Sequence, residues 1–354
     1  MERDKLIVSS SPHITAKATT RNIMLEVCIA LMPALIAGTV FFGIYAFTIV
    51  LISVLSAVFF EYIWNLLRKK PKEQESKKNL GFFKSIWNLL RKKPNTISDC
   101  SCIVTGLILG LSLSPTVPLY VPLIGGFFAV VIVKMLFGGI GKNFANPAVT
   151  ARVFLTLAFT QIMGKFVLPI TYNGVSDFFN FFTDVNTGAT VLTGATPLSG
   201  ANDSLINLFL GNIGGSIGET SKLALLIGGG YLLIRKIIGW EIPVILIFSF
   251  AAFTLVFKWD INAVLPEVLS GGLIFAAIFM ATDYSTSPNT KRGIYIYAFI
   301  IGFFNAFLRQ YSAMAEGISF AVLLGNLCVP LIDRYIRPKP FGFKTTKPRN
   351  DKGI

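Results

Sequence analysis

Long apolar runs separated by short polar stretches set the pattern of this chain. They predict helices at about 22–42, 44–67, 99–114, 118–138, 147–169, 222–239, 241–257, 263–282, 292–310 and 314–334. A hydrocarbon core takes roughly 20 helical residues to cross, so these runs are candidate spans. Ten-residue segments of alternating apolar and polar character, the mark of a membrane β-barrel, are not seen. The pattern therefore predicts an all-α polytopic membrane protein with about ten transmembrane helices. The run at 99–114 is short, and those at 147–169 and 263–282 carry polar residues. Short or interrupted spans predict broken helices that line a site.

The loops give an orientation, because Lys and Arg mark the cytoplasmic side. Segment 68–98 carries Arg68, Lys69, Lys70, Lys72, Lys77, Lys78, Lys84, Arg91, Lys92 and Lys93 and is expected inside. Two spans precede it, so the polar segment 1–21, with Lys17 and Arg21, is expected to be cytoplasmic too. Counting forward places Lys142, Arg235, Lys236, Lys291, Arg292 and the basic tail 335–354 inside. The loop Ile170–Ser221 falls outside and holds neither Lys nor Arg. This divides the chain into a first membrane half, 22–169, the extracytoplasmic loop 170–221, and a second half, 222–334, with both termini cytoplasmic.

Composition agrees: 53% of residues are hydrophobic and only 14% are charged, with a mean hydropathy of +0.66. The net charge of +14 reads as topology and as attraction to anionic lipid. The basic residues adjoin apolar spans, which argues against nucleic acid. Met1–Arg21 is polar and unlike a signal peptide. Cys28, Cys100, Cys102 and Cys328 lack the spacing of an iron–sulfur or zinc site, and His13 is the only histidine, so no metal site is expected. Ile63–Pro71 recurs as Ile86–Pro94, a tandem duplication that lengthens a cytoplasmic loop. A fainter likeness relates the halves: Thr105–Ile108, Ser114-Pro115 and Ile124–Phe127 parallel Gly271–Ile274, Ser287-Pro288 and Ile300–Phe303. It suggests two structural repeats.

Four motifs could carry chemistry. Thr187–Thr190 and Thr193–Thr196 are two Thr-Gly-Ala-Thr units in the outer loop. A threonine hydroxyl beside Gly and Ala is open to a modifying enzyme, although such clusters are also ordinary turns. Phe137–Ala148 combines three glycines with Asn143 and Asn146, whose amides suit a flat heteroaromatic ring. Asn146 followed by Pro147 also fits a plain helix cap. In Gly211–Thr220, Ser216 and Glu219 have capping-box spacing. That glycine-rich entry into a helix could also hold a phosphate on backbone N–H groups, which makes Gly214, Ser216, Glu219 and Thr220 binding candidates. In Met280–Pro288, Asp283 is an acid at a membrane boundary, and Glu26 and Glu267 lie within apolar runs. Such acids are ion-pathway candidates, the alternatives being an ion pair with Lys or Arg or solvation at the interface. Lys134 and Arg152 are expected to snorkel to the interface and are not taken as site residues.

Together these motifs resemble the D subunit of the Rnf electron-transport complex, a relative of the B subunit of the sodium-pumping NADH:quinone reductase. The likeness covers nearly the whole chain, through Ser11–Ile14, Asn95–Asp99, Phe137–Ala148, Ala195–Leu198, Gly214–Ser221 and Met280–Pro288. It implies FMN joined through its phosphate to a threonine hydroxyl, attached outside the cytoplasm by a flavin transferase. The family pattern is an acid, two residues, then Ser/Thr-Gly-Ala-Thr, often followed by Pro-Leu. Asp184 stands at that spacing before Thr190, whereas Pro197-Leu198 follow Thr196. Thr196 is preferred and Thr190 is the alternative. The resemblance also implies a non-covalent riboflavin near Asn143 and Asn146. It further implies partnership with other Rnf subunits, including a second flavinylated one, in a bacterial inner membrane. Such a complex couples electron transfer between ferredoxin and NAD to Na⁺ or H⁺ translocation, and this subunit would not be catalytic alone. The alternatives are the quinone-reductase B subunit, a passive channel or transporter without flavin, and a membrane scaffold.

Overall fold

A computed structural model describes residues 19–67, 99–169, 204–312 and 317–336. The regular elements among them are helical. In chain order they are α1 (Thr20–Leu67), α2 (Ser101–Leu111), α3 (Tyr120–Phe127), α4 (Pro147–Ala158), α5 (Thr160–Met163) and α6 (Leu205–Leu210). There follow α7 (Lys222–Ile234), α8 (Glu241–Lys258), α9 (Ile261–Leu269), α10 (Leu273–Phe275), α11 (Lys291–Tyr311) and α12 (Ile318–Tyr335). α3 continues as a π-helical stretch, Phe128–Met135, and α10 as a second, Ala276–Met280.

α1 has 48 residues, but its backbone leaves helical values at Gly43, with φ 75° and ψ −173°. A left-handed φ costs a residue with a Cβ and suits glycine. The break falls where the sequence separates its first two expected spans. Among the described residues, α1, α8, α11 and α12 are long and apolar enough to cross a membrane. α9 and α10 with its π stretch form a fifth candidate, bent by 64° at the intervening residues. The expected span 147–169 is likewise interrupted, at Phe159, between α4 and α5. α2, α3 with its π stretch, α4 and α7 are apolar but shorter.

The helices present apolar side chains outward. Ile36, Leu55, Phe248 and Leu331 are between 56% and 74% exposed. Water-facing surfaces rarely carry so many large apolar groups, whereas lipid-facing ones do. α8 shows the fit to a bilayer. Its 18 residues rise about 27 Å, and exposed Trp240 and Trp259 flank its two ends, where amphipathic indoles favour the membrane–water boundary. The protein is thus a multi-pass membrane protein.

The core forms where α1 packs on α2, α3 and α7, and where α11 packs on α8 and on α12. Two close approaches recur. A Cβ at Gly126 on α3 would collide with the Ser56 hydroxyl of α1, and one at Gly302 on α11 would collide with the Ser249 hydroxyl of α8. Gly126 and Gly302 belong to the matching Ile124–Phe127 and Ile300–Phe303 segments. Each serine hydroxyl donates to a carbonyl three residues back, Ser53 or Leu246, so it can face the opposite glycine without losing its partner.

Candidate functional site

The segment between α3 and α4 is built to turn sharply and then restart a helix. Gly138, Gly139 and Gly141 take φ of 110°, 93° and 79°. Asn146 caps α4 as its sequence suggests: Oδ1 accepts from the N–H groups of Ala148 at 3.0 Å and Val149 at 3.4 Å. Its Nδ2 donates to the Met280 carbonyl at 3.2 Å, tying α4 to the end of the second π stretch. These contacts leave Asn146 at most one N–H for a ligand. The Oδ1 of Asn143 is different, being buried without a hydrogen-bond partner among the described residues.

These residues border a cavity of about 310 Å³. Met24 and Val27 of α1, Ile108 of α2, Leu232 of α7 and Phe279 give it apolar walls. Asn143, Asn146, Thr282, Asp283, Ser285 and Lys134 supply its polar edge. The tertiary structure therefore joins Phe137–Ala148 and Met280–Pro288, two motifs well separated in the chain. Both π stretches end at this cavity, one carrying Lys134 and the other preceding Thr282. Apolar walls with a few placed polar atoms suit a flat heteroaromatic ligand. The free acceptor on Asn143 matches a ring N–H, so the residues present fit a flavin ring.

Asp283 is held within its own loop. Its carboxylate accepts from the Ser285 hydroxyl at 2.9 Å, the Ser285 N–H at 3.3 Å and the Thr286 hydroxyl at 3.2 Å. Loss of hydration pushes its carboxyl above the usual carboxylate range, and these hydrogen bonds oppose the shift.

The charges within apolar runs are paired, which corrects the snorkelling expectation. Lys134 is 1% exposed and donates to Glu61, which is 0% exposed, at 2.6 Å, and to the Ser101 hydroxyl at 2.8 Å. Arg152 is buried against both carboxylate oxygens of Glu219 and the Ser216 hydroxyl. Lys134, which lines the cavity, is a site residue the sequence reading set aside, and Glu61 and Arg152 are interior charge partners it did not anticipate. Their signal was a charge inside an apolar run, and interior pairing rather than an interfacial position is what the fold provides. Glu26 pairs with Arg235 and accepts from Tyr231, while Glu267 pairs with Lys258 at 2.5 Å and Arg309 at 3.3 Å. Glu26 and Glu267 thus each make the ion pair that was one of the readings open for them.

The loop Gly211–Thr220 also departs from expectation. Ser221, not Ser216, caps α7, accepting from Ala224 N–H at 3.4 Å. Glu219 is turned to Arg152 instead of forming a capping box. The N–H groups of Ile217 and Gly218 donate to Leu113 and Leu111 at 3.0 and 2.7 Å, and that of Glu219 donates to Ser216 at 3.2 Å. These amides close the end of α2 and the loop itself, which leaves them unavailable to a phosphate. Thr220 keeps a buried Oγ1 without a hydrogen-bond partner among the described residues. Thr190, Thr196, Asp184, His13 and most of the duplicated segment lie outside the described residues.

Sequence comparison places this geometry in a family. The family model for NQR2, RnfD and RnfE matches residues 7–86 and 79–342. The chain is 38% identical to the D subunit of the Na⁺-translocating ferredoxin:NAD⁺ oxidoreductase complex of Acetobacterium woodii, over 98% of each chain. It is 33% identical to the D subunit of the proton-translocating ferredoxin:NAD⁺ oxidoreductase complex of Clostridium ljungdahlii, over 97% of this chain and 98% of that one. It is 32% identical to the D subunit of the ion-translocating oxidoreductase complex of Actinobacillus succinogenes, over 95% and 98%. With the family model matching nearly the whole chain and these near full-length likenesses, the chain belongs to the NQR2, RnfD, RnfE family.

Proposed function

We propose that this chain is the D-type membrane subunit of an Rnf complex that couples electron transfer between ferredoxin and NAD to Na⁺ or H⁺ translocation. The observation that carries this reading is near full-length likeness to the D subunits of two ferredoxin:NAD⁺ oxidoreductases, one named for Na⁺ and the other for protons. The chain works only with the other Rnf subunits, in a bacterial cytoplasmic membrane. Its proposed topology has ten spans in two repeats with both termini inside. The paired Gly126/Ser56 and Gly302/Ser249 contacts support the repeats, and the distribution of basic residues supports the orientation.

In this reading the outer loop carries FMN on Thr196, with Thr190 as the rival. A flavin transferase attaches it, and a second flavinylated subunit lies beside it. A non-covalent riboflavin occupies the cavity at Asn143. A flavin supplies one- and two-electron chemistry, and the protein binds, orients and tunes it. Here Asn143 would accept a ring N–H. Asn146 fixes the wall by joining α4 to Met280, and the apolar walls exclude water.

The test is to express the chain with a flavin transferase and look for a fluorescent band on a denaturing gel, beside Thr190→Val and Thr196→Val. A band lost only with Thr196→Val supports the preferred attachment. Loss only with Thr190→Val moves it to the rival. A dark wild-type band, with the transferase active on another substrate, overturns the flavin reading in favour of a permease.

A further inference from the structure

The bent span α9–α10 is gripped at its break by cations from two other helices. The last carbonyl groups of any helix lack partners inside it. Those ending α9 find them elsewhere. The Ser270 hydroxyl donates to the Pro266 carbonyl at 2.6 Å. Arg309 of α11 donates to the Glu267 carbonyl at 2.7 Å and to the Ser270 carbonyl at 3.1 Å. Lys222, the first residue of α7, donates its ammonium to the Gly271 carbonyl at 3.0 Å and to the Glu219 carbonyl. Lys222 is 0% exposed.

The other side of the break carries the opposite charge. A Cβ on Gly272, immediately before α10, would stand 2.6 Å from the Glu219 carboxylate carbon. Glu219 can approach so closely only because that residue is glycine. Cations thus face the negative end of one half-helix and a carboxylate faces the positive end of the next, each the favourable partner for the helix dipole.

Broken membrane helices commonly hold a diffusible monovalent cation on such freed carbonyls. We propose that the Glu219 and Gly271 carbonyls form a monovalent-cation site, and that the Lys222 ammonium is its built-in occupant. The bent span is then fixed by a tethered cation where a diffusible one would otherwise be needed. Arg309 acts differently, because its planar guanidinium bridges separated carbonyls and lies over the Phe250 ring at 4.7 Å, a shape no small ion reproduces. The site is independent of any flavin.

The experiment uses the intact purified complex with Lys222→Met, Lys222→Gln or Arg309→Met, melted in equal concentrations of choline, methylammonium or sodium chloride. Lys222→Met is expected to lose about 3 °C or more of Tm in choline. At least half should return in methylammonium or sodium, with the wild type indifferent to the exchange. Arg309→Met should show no such return. Equal loss of Lys222→Met in all three salts overturns the proposal. Full stability of Lys222→Gln without salt dependence also overturns it, because a neutral donor would then suffice. So does failure of both Lys222 variants to assemble in every salt.

Discussion

Lys134→Met isolates the buried Lys134–Glu61 pair. At 2.6 Å, with both side chains out of water, the attraction is about 6 kcal/mol at an effective dielectric constant of about 20. Most of that offsets the desolvation of the two charges. Removing the lysine cancels the attraction but leaves Glu61 in the interior, where its second oxygen, Oε1, already lacks a hydrogen-bond partner among the described residues. Breaking a buried pair from one side costs about 3–5 kcal/mol. At roughly 2 °C per kcal/mol for a chain of this size, Tm should fall by about 6–10 °C. Replacing both members, with Glu61→Leu added, removes both desolvated charges and should return stability to within about 1 kcal/mol of the wild type. Cys102 is fully buried in the same small cluster as Ala57 and Val130. In a background with the other three cysteines replaced by serine, heat-dependent labelling of Cys102 by a thiol-reactive fluorophore reports the opening. A single-variant loss under about 2 °C, or a double variant as unstable as the sum of the two singles, would refute the reasoning.

Two further outcomes follow from the cavity. Asn143→Leu should lower the non-covalent flavin released from the purified complex by about tenfold, the effect of losing one well-placed hydrogen bond of roughly 1.4 kcal/mol, while gel fluorescence from covalent flavin is unchanged. Unchanged non-covalent flavin would remove Asn143 from the site. The carboxyl of Asp283 is raised in the folded protein, so the folded state holds its proton longer than the unfolded state does. Stability should fall as pH rises from about 3.8 through the raised value and level off above it. Asp283→Asn should flatten that segment of a Tm-against-pH curve, and an identical slope in both proteins would assign it to another group.

Local rules made much of this protein legible in its sequence. Apolar runs placed the helices, and four of these, or five with the bent pair, reach the length that a bilayer crossing takes. The break at Gly43 and the bent span near Ser270–Gly272 fell where polar or glycine residues interrupt those runs. Asn146 followed by Pro147 announced a helix start, since capping depends only on residues two or three apart. The motifs also pointed to the family.

Tertiary structure alone decided the partners of the interior charges. Lys134 meets Glu61 across 73 residues and Arg152 meets Glu219 across 67, and nothing local distinguishes a lysine that snorkels from one that pairs inside. It also decided that Ser216 and Glu219 turn to Arg152, overriding a capping-box spacing that was locally sound. It alone brought Asn143 and Asp283 to one cavity. Helix positions follow from short-range solvation along the chain. Charge pairing follows from which faces pack together, and that is a property of the whole bundle.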